Sequence, residues 1–216
     1  MSKKEFTKRF LLFVIGLFFS GLGIAFSKRA DLGISTISSM PNVLSIKFDF
    51  ISFGLWSAVT NCLMLLGQVI ILRKNFKLLQ LLQIPLSFVF GWFCDIGLYI
   101  VSFIPVPNYF VRMLLTLAGV AVLGFGIALA VIANILYNSG EGLVKAISDT
   151  AHKDFGKTKI AFDICWVAAA AALSMLFFGN IVGIREGTLI AALLTGVVVN
   201  LIKKPLDKPL NSFMEK

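Results

Sequence analysis

The chain has 216 residues, of which 58% are hydrophobic and 14% are charged, and its mean hydropathy is +0.91. A soluble domain carries roughly a quarter charged residues and could not hide this much apolar surface, so the composition excludes an ordinary soluble fold. The net charge of +9 comes from Lys and Arg residues that lie mainly between apolar runs, which favours membrane insertion over nucleic-acid binding.

Six apolar runs are long enough, at about 20 residues each, to cross a bilayer as helices. They predict an all-α membrane protein, with a single polytopic domain over residues 1–216. The predicted spans are 8–27, 51–72, 78–104, 109–136, 159–179 and 187–203.

The basic residues predict the orientation of these spans. An N-terminus in the cytoplasm leaves 15 of the 20 Lys and Arg residues on the cytoplasmic side. This distribution satisfies the positive-inside rule and predicts that both termini are cytoplasmic.

The two halves of the chain resemble each other in order. Five positions or segments of the first half match positions of the second half: 21–25 matches 124–128, Gly33 matches Gly142, Trp56 matches Trp166, Gly91 matches Gly196, and Asp95 matches Asn200. The alternative is chance similarity between segments rich in Gly, Leu and Ala.

A repeat of three spans has a structural consequence. Because three is odd, two consecutive copies enter the membrane from opposite faces, so the sequence predicts a 3+3 inverted repeat. Repeat 1 covers about 8–104 and repeat 2 about 109–203. Inverted repeats with interrupted helices are typical of transporters, in which one half rocks against the other.

Polar breaks that contain glycine follow the first and fourth spans. In the second break, glycines flank Glu141, and apolar positions at helical spacing predict a short helix over 145–155. Such breaks let backbone N–H groups and a helix N-terminus face a polar ligand. The candidate substrate-binding residues are Ser35, Ser38, Ser39, Asn138, Ser139, Glu141 and Gly142. Alternatively, both segments are interfacial, and Glu141 only stabilises a helix N-terminus.

Two carboxylates fall within predicted spans. Burying an ionised carboxylate at mid-membrane costs at least about 2.5 kcal/mol, so Asp95 and Asp163 are candidates for proton or cation coupling. Lys159, one turn before Asp163, could neutralise it. Intramembrane amides are interpreted as packing contacts between helices. These are Asn61, Gln68, Gln83, Asn134 and Asn200.

No motif for an enzyme is present in the sequence. The one histidine, His152, is interpreted as a solvated side chain, and the three cysteines show no metal-ligand spacing. We therefore expect no catalytic activity, cofactor or metal.

Several motifs resemble the YczE/YyaS/YitT group of bacterial membrane proteins, in order along nearly the whole chain. They are Ala30-Asp31-Leu32-Gly33-Ile34-Ser35, Leu82-Gln83-Ile84-Pro85, Gly140-Glu141-Gly142-Leu143-Val144, Lys159-Ile160-Ala161-Phe162-Asp163 and Gly183-Ile184-Arg185-Glu186-Gly187-Thr188. The resemblance implies a helical bundle in the bacterial inner membrane and no particular substrate. It singles out Glu141, Asp163, Arg185, Glu186 and Asp95 without giving them roles. Ser139 departs from the proline that family members often carry there.

The leading hypothesis is a small-solute transporter or permease with a polar metabolite as substrate and a possible homodimeric assembly in the bilayer. The alternative is an accessory protein that scaffolds a membrane-associated enzyme through the basic stretch 145–159.

Overall fold

The computed structural model describes residues 2–215, which form eight α-helices and contain no strand. The helices are α1 (Lys3–Ala30), α2 (Ser39–Lys47), α3 (Phe53–Leu72), α4 (Gln83–Ser102), α5 (Tyr109–Ala133), α6 (Ser139–Ala151), α7 (Phe155–Phe178) and α8 (Glu186–Glu215). Six of them, all but α2 and α6, are long and apolar enough to cross a membrane. The predicted all-α membrane fold with short segments after the first and fourth spans is confirmed.

Two helix boundaries differ most from the predicted ones. The last span was predicted to end at 203, but α8 continues through Pro205 and Pro209 to Glu215. Its polar final turns are held by Asn211, whose Oδ1 accepts a hydrogen bond of 3.1 Å from Arg9. The short helix predicted over 145–155 instead begins six residues earlier, at Ser139, for reasons of packing described below.

The order of elements repeats: a long helix, a short helix and two long helices, twice. The two first helices, α1 and α5, form the centre of the bundle and cross antiparallel at glycines. A Cβ on Gly16 would overlap the backbone of residues 126 and 130, and one on Gly23 would overlap the backbone of Leu123. Such close approach of small residues is a usual way for membrane helices to associate.

The remaining contacts follow the repeat. Helix α1 packs on α4 as α5 packs on α8, α2 contacts α3 as α6 contacts α7, and α3 contacts α6 as α7 contacts α2. This pattern is what two inverted copies related by a pseudo-twofold axis would give.

One pair of helices departs from this symmetry. Helices α3 and α4 pack so closely that a Cβ on Gly54 would overlap the Gly91 carbonyl. Their counterparts α7 and α8 make almost no direct contact within residues 2–215. Among the described residues, no atom outside its own helix lies within 4 Å of the position that a Cβ on Gly196, the counterpart of Gly91, would occupy.

Both ends of the described chain lie on one face of the bundle. The Lys8 ammonium donates a hydrogen bond of 3.1 Å to the Phe213 carbonyl, which joins the start of α1 to the end of α8. We call this side the terminal face, and the side where α1 ends and α5 and α8 begin the opposite face.

Candidate functional site

A cavity of about 440 Å³ lies inside the bundle, between the central pair α1 and α5 and the gap that separates α7 from α8. Its walls are largely apolar, with polar side chains from both halves of the chain. The polar lining residues are Ser20, Ser35, Thr36, Ser38, Asn61, Gln83, Ser87, Tyr137, Asn138, Ser139, Glu141, Lys159, Asp163, Thr195 and Asn200. The cavity therefore collects most of the polar residues singled out in the sequence.

The two breaks meet at this cavity. A Cβ on Gly140 would overlap the side chain of Ile37, and the Trp166 indole N–H donates a hydrogen bond of 2.9 Å to the Ile37 carbonyl. Trp166 is the twelfth of the 24 residues of α7, so Ile37 lies near the middle of that span. Both segments thus enter the bundle, as the re-entrant alternative predicts.

An amide network fixes the start of α6. The Gln68 side chain donates hydrogen bonds of 3.0 Å to the Ser139 carbonyl and to the Gln83 side chain, and it is fully buried. A Cβ on Gly142 would overlap this amide. Buried amides need such partners, and the small residues Ser139, Gly140 and Gly142 allow α6 to begin against them. The interpretation of Gln68 as a packing contact is confirmed.

Glu141 occupies the first turn of α6, where a carboxylate interacts favourably with the helix N-terminus. It also lines a second cavity of about 450 Å³, formed by the end of α5, the linker 134–138 and the last turns of α8, toward the terminal face. Like Glu141, the residues Val131, Tyr137 and Asn138 line both cavities. The Glu141 carboxylate makes no hydrogen bond or ion pair within residues 2–215.

The other two charges of the central cavity neutralise each other. The Lys159 ammonium lies 2.6 Å from both carboxylate oxygens of Asp163, one helical turn away, as the spacing predicted. This leaves the charge of Glu141 unbalanced in the cavity. Burial raises the pKa of Glu141, which lies outside the six spanning helices; Lys159 opposes this effect and Asp163 adds to it.

Two hydroxyl groups on the cavity wall were not anticipated from the sequence. Ser20 is only 3% exposed, and its hydroxyl has no hydrogen-bond partner among residues 2–215. The Thr195 hydroxyl is also buried without a partner in the described part of the chain. Because buried polar groups are nearly always hydrogen-bonded, each offers a free contact to a molecule in the cavity. Ser20 precedes the repeated 21–25 segment directly, which is the one sequence signal that points to it.

Three predicted site residues lie outside the cavity lining: Ser39, Gly142 and Asp95. The Ser39 hydroxyl donates to the Thr36 carbonyl at 2.6 Å. The Asp95 carboxylate accepts hydrogen bonds from the Ser52 hydroxyl at 2.6 Å and from the Gly54 N–H at 2.8 Å, so it stabilises the N-terminus of α3. A coupling role for Asp95 stays a prediction.

At the opposite face, the first break packs against the start of α8. The Gly187 N–H donates to the Leu32 carbonyl at 2.7 Å, and the Ile34 N–H donates to the Thr188 hydroxyl at 3.2 Å. Leu32 and Ile34 are fully buried. These contacts fasten residues 31–34 to the start of α8, whereas the second cavity lies on the terminal side.

Fold and site together define a multi-pass helical membrane protein with an internal, partly polar cavity. Within residues 2–215 no group of three or more His, Cys, Asp or Glu side chains could hold a metal ion. The chain belongs to a family of unknown function, DUF6198, whose sequence profile matches residues 7–204. No curated protein matches the chain, and no solved structure does.

Proposed function

We propose that the protein is a small-solute permease of the bacterial inner membrane, with both termini in the cytoplasm, that works by alternating access. The observation that carries the proposal is the asymmetry between the two halves. One pair of repeat-related helices, α3 and α4, is packed at Gly54 and Gly91, and the other, α7 and α8, is parted beside the cavity.

In an inverted repeat, exchanging the conformations of the two halves produces the second state. The cavity now adjoins the second cavity on the terminal side, and at the opposite face residues 31–34 are hydrogen-bonded to the start of α8. In the exchanged state α7 and α8 pack together, α3 and α4 part, and the cavity opens to the opposite face. A polar metabolite would be bound by Ser35, Ser38, Asn138, Ser139 and Glu141, and Asp163 stays the candidate for coupling.

Thiol labelling tests this proposal without a known substrate. In a variant whose Cys62, Cys94 and Cys165 are replaced, Thr195→Cys places a single thiol on the cavity wall. A membrane-impermeant methanethiosulfonate reagent is then added to either side of oriented vesicles. Alternating access predicts labelling from both sides, one route for each state.

The matched control is Leu193→Cys, two residues along α8, whose side chain is 75% exposed on the outside of the bundle and does not line the cavity. Lipid should keep this thiol unreactive from both sides. If Thr195→Cys reacts from one side only, the cavity is a fixed vestibule and the alternating-access proposal is wrong.

The scaffold alternative depends on free positive charge in the stretch 145–159. Two of its four lysines are engaged in their own helices: Lys145 lies 3.1 Å from Asp149, and Lys159 is paired with Asp163. The basic stretch therefore gives this alternative less support than the sequence suggested. The homodimer stays a prediction.

A further inference from the structure

The charge balance of the cavity determines what it can hold. The three charged residues that line it are Glu141, Asp163 and Lys159, and the last two form an ion pair at 2.6 Å. The remaining carboxylate has no partner within residues 2–215. An anionic ligand would face an unbalanced negative charge in a poorly solvated site, whereas a cation would neutralise it.

The rest of the wall distinguishes between kinds of cation. A bare metal ion needs several oxygen ligands gathered around it, and the described residues hold no group of three or more carboxylates or other metal-ligating side chains. The wall is instead mostly apolar and includes the aromatic side chains of Phe13, Phe90 and Tyr137. Aromatic faces attract organic cations, and an apolar wall suits an apolar substituent.

The polar side chains add directional contacts. Ser20 is 3% exposed, and neither its hydroxyl nor that of Thr195 has a hydrogen-bond partner among the described residues. Both can accept or donate a hydrogen bond, so a ligand with N–H or O–H groups would satisfy them. These free groups are independent of the carboxylate and also indicate a ligand in the cavity.

From these observations we infer that the cavity binds a small organic cation, a protonated amine with an apolar or aromatic substituent, whose ammonium group pairs with Glu141. This inference rests on the proposed function, since it names the substrate class of the same cavity. At about 440 Å³ the cavity is in the lower part of the range of about 300–1,000 Å³ for small-molecule sites, so the ligand is of metabolite size.

The experiment uses three probes that share a ring and differ in charge: benzylammonium, benzyl alcohol and benzoate. Their affinities for the purified full-length chain in nanodiscs of uncharged lipid are measured by calorimetry. We expect benzylammonium to bind at least tenfold more tightly than benzyl alcohol, and benzoate to bind more weakly than either. In Glu141→Gln the preference for benzylammonium over benzyl alcohol should be lost.

The matched control is Asp149→Asn on the same helix, whose side chain is 58% exposed and lies outside the cavity. It should keep the preference. Benzyl alcohol binding and the melting temperature report that Glu141→Gln is folded. Equal binding of the three probes, a preference that survives Glu141→Gln, or stabilisation by Na⁺ or K⁺ alone would each overturn the inference.

Uptake of the same probes into proteoliposomes separates this inference from the proposed function. Glu141-dependent binding of benzylammonium without uptake would support the organic cation site and contradict transport. Uptake of benzoate but not of benzylammonium would support a permease and overturn the organic cation as its substrate.

Discussion

Alanine at Gly91 is expected to leave the protein less stable than alanine at its repeat-related counterpart Gly196. A Cβ at residue 91 would overlap the O and C atoms of Gly54, whereas a Cβ at residue 196 would meet no atom of the described residues outside its own helix within 4 Å. Both positions lie inside helices, so both variants gain about 0.5–1 kcal/mol from replacing glycine with alanine. Only Gly91→Ala also incurs the cost of overpacking, about 1–3 kcal/mol. The difference between the two variants therefore isolates the packing term.

Melting temperatures of the two purified variants in the same detergent measure this difference. For a chain of this size, 1 kcal/mol corresponds to about 2–4 °C, so Gly91→Ala should melt roughly 2–12 °C below Gly196→Ala. Relative to the unmodified protein, Gly196→Ala should be unchanged or slightly more stable. Equal melting temperatures would show that α3 with α4 and α7 with α8 are packed alike, which would remove the asymmetry from which the second state was inferred.

Three further outcomes follow from the polar contacts of the site. Gln68→Ala should lower the free energy of unfolding by about 1–3 kcal/mol, because it leaves the buried side-chain amide of Gln83 without its hydrogen-bond partner. Denaturant titration measures this, and a change below about 0.5 kcal/mol would refute it. Lys159→Met should lower the melting temperature more than the double variant Lys159→Met with Asp163→Asn, because only the single variant leaves the Asp163 carboxylate unpaired. Equal melting temperatures of the two variants would contradict the ion pair. Benzylammonium binding should weaken as the pH falls through the raised pKa of Glu141, since only the ionised carboxylate attracts an ammonium group. An affinity that does not change with pH between about 5 and 9 would argue against this role of Glu141.

The charges around Glu141 bear on this pH dependence. From α7 it is faced by Lys159 and Asp163, and the second cavity adds Lys203 and Asp207 of α8. Lys159 and Asp163 are one helical turn apart and form an ion pair. We therefore attribute the expected competition between protons and benzylammonium to Glu141.

The sequence was sufficient for the spans and for the order of elements. Apolar runs of bilayer length and the polar breaks between them are local properties, so all six long helices fall where the hydropathy pattern predicted them. The ion pair between Lys159 and Asp163 is local in the same way, because residues four apart on a helix are neighbours.

What the sequence could not predict depends on contacts between distant segments. The start of α6 at Ser139 requires Gln68 of α3, and two glycines in the first turn would ordinarily disfavour a helix there. The position of Ile37 inside the bundle follows only from its hydrogen bond with Trp166, which lies 129 residues later in the chain. In the sequence, Asp95 and Glu141 are both carboxylates in or beside apolar runs. Only the packing of the helices shows that Asp95 stabilises the N-terminus of α3 and that Glu141 lines the cavity.

The place of Asp95 gives it a part in the proposed cycle even though it lies outside the cavity. Its carboxylate joins α4 to the N-terminus of α3 through Ser52 and Gly54, the contact that must break when these helices part. Hydrogen bonds to a charged group are worth about 1.5–3 kcal/mol, and 1.4 kcal/mol is a tenfold change in an equilibrium, so Asp95→Asn should favour the exchanged state by about tenfold or more. Labelling of Thr195→Cys should then become faster from the opposite face and slower from the terminal face. An unchanged ratio of the two rates would mean that Asp95 only caps α3 and does not hold the present state.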